Sequence, residues 1–166
     1  MPYSVRLEKQ HHVFSAAHFI TFAGNVCERL HGHNYAVAVE VEGPLDENQY
    51  VIDFIALRDE LKAITDELDH RMLLPTDHPL IRVTVDVAEI EAVFTPDGRR
   101  WVFPRCDCCI LPIANTTAEL LASYIAARLL TAIERKTGHP PTRLQVAVDE
   151  NNGQWGIIES GPRPRQ

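Results

Sequence analysis

Basic side chains are the scarce class in this 166-residue chain. It has 16 Lys and Arg against 23 Asp and Glu, a formal net charge of -7 at pH 7. A surface of that sign is repelled by phosphate backbones and anionic lipid, which argues against nucleic acid or a membrane surface as partner. A small anionic substrate stays open, provided a local basic pocket receives it. Long apolar runs are missing too, and none is long enough to span a bilayer. Residues 1–12 are mixed polar and lack the apolar stretch of a secretory signal. The four cysteines do not make a disulfide framework, because Cys106, Cys108 and Cys109 crowd into one segment and Cys27 stands alone. No internal repeat or low-complexity tract breaks the pattern. These absences leave a soluble globular protein, expected in the cytoplasm, and the length suits a single domain over residues 1–166.

The patterning that is present alternates between two periods. Val5 and Leu7, then Val13 and Phe14, read as one bent strand or two. Tyr35, Val37, Val39 and Val41 share one face of a second strand that Gly43-Pro44 stops. Asp53 is placed to cap a helix whose stripe is Phe54, Leu57, Leu61, Ile64 and Leu68. A second helix is expected over residues 117–136, with Leu121, Ile125, Leu129 and Ile133 on one face, ended by Gly138 and Pro140-Pro141. Leu144, Val146, Val148 and Glu150 then share a strand face, and Asn151-Asn152-Gly153 turns the chain into a hairpin with residues 155–159. Residues 161–166 read as a frayed end. Between the helices, residues 75–112 form an insertion, with a small hairpin expected around Pro96-Asp97-Gly98. Strands grouped at both ends with helices between them predict an α+β fold on an antiparallel sheet.

The chemistry concentrates in Cys27-Glu28-Arg29-Leu30-His31-Gly32-His33-Asn34-Tyr35. On a strand, period two sets His31 and His33 on one face, within reach of a single cation. His18 supplies a third nitrogen if its element pairs antiparallel with theirs. Three protein nitrogens with an open fourth position describe a catalytic zinc site. Cys27 near such an ion is a candidate base or nucleophile, or else a small buried apolar residue. Asp69 beside His70 is a candidate proton carrier with its orienting carboxylate. Glu150, at the end of an apolar strand face, is either an exposed rim residue or a carboxylate built to accept paired N–H bonds from a heterocycle edge. A His-x-His metal hydrolase that activates water, with no need for Cys27, is the alternative from another class.

These segments, in this order, resemble the 6-pyruvoyl-tetrahydropterin synthases and their bacterial relatives, the 6-carboxy-tetrahydropterin synthases of queuosine biosynthesis. The matching pieces are residues 14–18, residues 27–35, Val51-Ile52-Asp53-Phe54, Leu68-Asp69-His70, Asn115-Thr116-Thr117-Ala118-Glu119 and Val146-Ala147-Val148-Asp149-Glu150. The resemblance implies the T-fold, a four-stranded antiparallel sheet with two helices on one face, here with a small inserted hairpin. It implies trimers closed into a barrel, stacked as a homohexamer, with sites at subunit interfaces. It implies Zn2+ on His18, His31 and His33, catalysis by Cys27, Asp69 and His70, and pterin binding by Glu150, Thr117 and Glu119. The implied reaction is that of a lyase turning 7,8-dihydroneopterin triphosphate into 6-carboxy-5,6,7,8-tetrahydropterin. Family branches that carry Glu at the Cys position instead cleave the side chain to 6-hydroxymethyl-7,8-dihydropterin, for folate synthesis. This chain has both residues, so Glu28 is a further catalytic candidate, and the 6-pyruvoyl product also stays open. Two features depart from the compact bacterial pattern. One is the long insertion with its three cysteines, read as an incidental cluster more than a second metal site. The other is Thr116, where many bacterial members have proline.

Overall fold

The computed structural model of the chain describes residues 3–161, so the expected frayed end beyond Gly161 lies outside the described residues. Strand β1 (Tyr3–His18) is a single long strand. Its register against β4 (His31–Gly43) shifts between Glu8 and Val13, which accounts for the bent pattern in the sequence. Two short strands, β2 (Thr21–Phe22) and β3 (Val26–Cys27), form a miniature hairpin between them. Helix α1 (Phe54–Leu68) begins where the Asp53 carboxylate accepts from the amides of Ile55 and Ala56 at 2.7 and 2.9 Å. Helix α2 (Ala118–Thr137) follows the insertion. The stripes of both helices are buried, except that Phe54, the first residue of α1, is half exposed. The C-terminal hairpin joins β10 (Arg143–Asp149) to β11 (Trp155–Ser160). The Asp149 carboxylate fixes its turn by accepting from the amides of Asn151, Gly153 and Gln154.

The expected four-stranded antiparallel sheet is part of a larger, mixed one. Strands β5 (Arg71–Pro75) and β9 (Cys108–Leu111) continue it, giving the order β11-β10-β4-β1-β5-β9. β5 runs parallel to β1, and β9 runs parallel to β5. Both additions are short, nearly continuous apolar runs without alternation, which periodicity cannot assign to strand or helix. The insertion also holds more than a hairpin. Strands β6 (Ile81–Val85), β7 (Glu89–Phe94) and β8 (Arg99–Pro104) make a three-stranded antiparallel sheet around the expected turn.

Two cores result. The main one packs Leu57, Leu61, Ile64, Leu121, Ile125 and Leu129 of the helices onto Val37, Val39, Val146 and Val148 of the sheet. The second lies under the insertion, where Phe19, Cys27, Met72 and Leu74 meet Ile81, Ile90 and Phe94. Both helices therefore cover one sheet face. The other face carries Arg143, tucked among Glu40, Glu42 and Glu159. Among the described residues, no helix is long and apolar enough to cross a membrane.

Gly156 lets β11 approach the start of α2. A Cβ there would lie 2.4 Å from the Ala118 carbonyl carbon and from the Glu119 amide nitrogen, both backbone atoms that cannot swing aside. Gly156→Ala is therefore expected to cost roughly 3 kcal/mol, the upper part of the usual range for overpacking. Urea denaturation at fixed metal content measures it, and an unchanged midpoint would disprove the close approach.

Candidate metal centre and substrate cleft

The register of β1 on β4 sets His18 opposite His31, at the end of the antiparallel ladder. His33 follows two residues on, on the same face. Gly32 between them faces β1, where a Cβ would meet the Ala16 carbonyl oxygen at 3.0 Å, so the small residue allows the two strands to close at this point. The ligand-capable nitrogens of the three histidines lie within 4.8 Å of one another.

The hydrogen bonds fix how the rings face. His18 Nδ1 lies 2.9 Å from the Thr116 carbonyl, and His31 Nδ1 lies 2.8 Å from the Arg29 carbonyl. A carbonyl only accepts, so in both rings Nδ1 carries the proton. Both Nε2 lone pairs then point into the cluster, 3.2 Å apart. Two lone pairs in that position repel unless a cation lies between them. The separation is close to the roughly 3.3 Å edge of a tetrahedron of imidazole nitrogens about a zinc-sized ion. The donor set, its tautomers and its spacing therefore fit a metal ion held by His18, His31 and His33.

The surroundings are polar on one side and sealed on the other. Tyr35, one further step along the same strand face, is fully buried and stacks on Phe14. Its hydroxyl lies 3.2 Å from the His18 ring nitrogens and donates to Glu150 Oε1 at 3.4 Å. Burial, and then the Glu150 charge, push its pKa well above the usual phenol value. Glu150, just past β10, brings Oε1 to 3.5 Å from His18 Nε2 and 3.9 Å from His33 Nε2. Glu28 Oε2 lies 3.8 Å from His31 Nε2, at a partly exposed position. Tyr35 and the Thr116 carbonyl are the participants that the sequence reading missed. Tyr35 had a signal, since residues 31, 33 and 35 share one strand face. A backbone carbonyl has none.

Thr117 caps α2 without a side-chain hydrogen bond, and Glu119 is exposed in its first turn. The preceding pair does the local fastening. Asn115 clasps the backbone of Thr21, and the Thr116 hydroxyl donates to the Phe19 carbonyl, which ties the start of α2 to the end of β1. The Thr116 amide also donates to the Asn115 side chain, a bond that proline at this position would lose.

Asp69 and His70, at the end of α1, are bonded to each other. Asp69 Oδ2 lies 2.8 Å from His70 Nδ1, and Asp69 Oδ1 accepts from the Ser15 amide at 2.8 Å. The Ser15 amide and then the His70 ring hold the Asp69 carboxyl below the usual carboxylate range. His70 adopts φ 55°, in the left-handed region, with an exposed ring. Such backbone strain persists where surrounding contacts hold it, and it is common at functional positions. His70 and His33 line one cleft of about 590 Å³ with Arg71, Met72 and, from the insertion, Phe103 and Asp107.

Cys27 points elsewhere. It is buried in the second core with its sulfur 3.5 Å from the Glu28 carbonyl, and burial pushes its thiol up while Arg99 pulls it back down. Among the described residues, no hydrogen bond or ion pair joins Cys27 to Asp69 or His70. Burial likewise raises the Cys108 and Cys109 thiols, and the three clustered cysteines do not gather into a metal-ligand group among the described residues.

The His18 environment sets a pH limit. Burial pushes its pKa down to about 4, against the Thr116 hydrogen bond, and the neighbouring His31 and His33 add to the shift. The ordinary value is 6.5, so below that pH the unfolded chain binds a proton that the folded chain refuses. Stability contributed by neutral His18 is present above pH 6.5 and is lost as pH falls toward 4. At about 1.4 kcal/mol per pH unit, the metal-free protein should lose about 3 kcal/mol across that window. Urea denaturation across that range checks this, and His18→Asn should flatten the slope.

Comparison with known proteins points one way. The sequence model of the 6-pyruvoyl tetrahydropterin synthase family matches residues 7–160. A Methanocaldococcus jannaschii protein with the provisional name 6-carboxy-5,6,7,8-tetrahydropterin synthase is 32% identical over 142 residues, 85% of each chain. The Bacillus subtilis 6-carboxy-5,6,7,8-tetrahydropterin synthase is 39% identical over 79 residues, 46% of this chain and 50% of that one. The structure of a Plasmodium vivax 6-pyruvoyltetrahydropterin synthase, mutated in a catalytic glutamate, superposes with a TM-score of 0.88 at 26% identity, covering 98% of this chain and 99% of the other.

Proposed function

Since the chain belongs to the 6-pyruvoyl tetrahydropterin synthase family, a family of lyases, we propose that it converts 7,8-dihydroneopterin triphosphate to 6-carboxy-5,6,7,8-tetrahydropterin, as a zinc enzyme of the queuosine pathway. The observation that carries this reading is the cluster of three imidazoles whose ligand-capable nitrogens face one another beside Glu150, with His33 and His70 lining one cleft. Zinc, when bound, supplies Lewis acidity to the side-chain oxygens of the substrate. The chain's own groups do the rest. Glu150 orients the pterin ring, Cys27 takes a proton, and His70, held by Asp69, returns one. Thr117 and Glu119 help to seat the ring.

Cys27 and the Asp69–His70 pair are not joined within one chain, so a homohexamer completing each site across an interface fits the arrangement. The exposed Trp155 and Ile157 on edge strand β11 support such closure, which removes a free sheet edge. The enzyme would work in the cytoplasm on this small anionic substrate.

A second reading is favoured by one observation, the Glu28 carboxylate 3.8 Å from His31 Nε2. It takes the same substrate to 6-hydroxymethyl-7,8-dihydropterin, with Glu28 as base; the Plasmodium vivax 6-pyruvoyltetrahydropterin synthase likewise has a glutamate named as a catalytic residue. The test is to incubate the zinc-loaded protein with 7,8-dihydroneopterin triphosphate and weigh the products. The first reading expects 6-carboxy-5,6,7,8-tetrahydropterin with acetaldehyde and triphosphate released. Accumulation of the hydroxymethyl product alone would replace it with the second, and no conversion at all would remove both.

A further inference from the structure

The segment between His18 and His31 carries Cys27 and Glu28, and the insertion holds it in place. One anchor is Trp101 of β8, which stacks on Phe19 with centroids 4.4 Å apart and planes 18° from parallel. Another is Arg99, two residues earlier on the same face of β8, whose Nη2 donates to the Cys27 carbonyl at 3.1 Å. Arg99 is itself set before it makes that bond. Its Nε donates to Asp97 Oδ2 at 2.7 Å, the Asp97 carboxylate also accepts from the Arg99 amide, and the guanidinium lies 5.3 Å from the Phe94 ring centre and 5.8 Å from that of Trp101. A planar, preordered guanidinium loses little entropy in making its remaining bond, which is charge-assisted.

The geometry points to Arg99 as a positioning residue for the reaction, one that fixes the Cys27–Glu28 backbone and so sets where those two side chains stand relative to the histidine cluster. Apart from the packing of the Cys27 side chain into the second core, residues 26–28 have few backbone bonds to fix them. β3 is two residues long and pairs only with the equally short β2, and the Glu28 amide makes one further bond, to the Ile20 carbonyl at 2.9 Å. The guanidinium charge also opposes the effect of burial on the Cys27 thiol, which adds to its positional role. This assigns part of the insertion to the active site as a support and gives β8 a task beyond packing.

Arg99→Met and Arg99→Lys test it, with hydrogen exchange and zinc content measured alongside turnover. In Arg99→Met, amide exchange over residues 20–28 should quicken about tenfold, the effect of losing one charge-assisted bond, while β4 stays as protected as before. Zinc stoichiometry should be unchanged. On 7,8-dihydroneopterin triphosphate, kcat should fall about tenfold with KM within about twofold, because the bond orders the base rather than the substrate. Arg99→Lys keeps the charge and one donor and should recover part of both effects. Unchanged exchange over residues 20–28 in Arg99→Met overturns the proposal, and so does a loss of kcat matched by loss of zinc. If Arg99→Met does not fold, exchange in Arg99→Lys equal to wild type overturns it as well. The kinetic arm rests on the function proposed above, but the exchange arm does not. A wild-type enzyme without turnover would sink that function and leave the exchange result to decide the role of Arg99.

Discussion

His31→Ala should purify folded, retain no stoichiometric divalent metal, and turn over at least ~10³-fold more slowly than wild type. His31 is the sharper choice among the three histidines because its side chain is partly exposed, whereas His18 is only 1% exposed and sits against Tyr35. Removing His31 therefore deletes a nitrogen without opening the core. Removing His18 would combine the loss of a ligand with a cavity. The remaining pair, His18 and His33, offers two nitrogens, and a two-nitrogen site does not hold zinc against a chelator. The rate loss follows from the several kcal/mol of charge stabilisation that a Lewis-acidic metal gives an oxygen in the transition state, at about 1.4 kcal/mol per factor of ten. Metal content by atomic emission and turnover by product mass are the two readings. Full zinc occupancy in His31→Ala, or turnover within tenfold of wild type, would mean that the cluster is not the catalytic metal centre.

Much of this arrangement was legible because it obeys simple periods. The His-x-His pair shares a face for the same reason that Val37, Val39 and Val41 do, while the antiparallel pairing needed for His18 is a condition that the register of β1 on β4 meets. The capped start of α1 at Asp53 and the hairpin turn after β10 were readable because Asp, Asn and Gly have specific backbone tasks there. What escaped was structure without a period. β5 and β9 are runs of four or five residues added in parallel at the sheet edge, and their pairing is decided by the insertion's return path rather than by their own sequence. The orientation of His18 depends on the Thr116 carbonyl, 98 residues away, which no side-chain pattern announces. Asp69 is readable as the orienting carboxylate of His70, but how the two side chains meet is not. Neighbouring side chains usually diverge, and these two meet because His70 takes a left-handed backbone conformation that histidine seldom adopts.

The adjacent pair Cys27 and Glu28 should divide the chemistry between them. At the end of a strand, neighbours point to opposite sides, and here Cys27 turns into the core beneath the insertion while Glu28 turns toward His31. A thiol that burial has pushed up gives thiolate only with help from a positive neighbour, and Arg99 is the cation that lowers it. Cys27→Ala is therefore expected to lower formation of 6-carboxy-5,6,7,8-tetrahydropterin by about 10²-fold or more, the usual worth of a positioned base, and to leave any 6-hydroxymethyl-7,8-dihydropterin in place. Glu28→Gln should do the converse, removing the hydroxymethyl product while the carboxy product stays within about threefold, since the amide keeps the shape of the side chain and loses only its basicity. Zinc content should be equal in both variants, because neither residue is among the three histidines. Product masses from the two variants, run side by side, decide the matter. If Cys27→Ala kept full carboxy formation while Glu28→Gln lost all turnover, the carboxylate facing the metal cluster would be the working base and the buried thiol a packing residue.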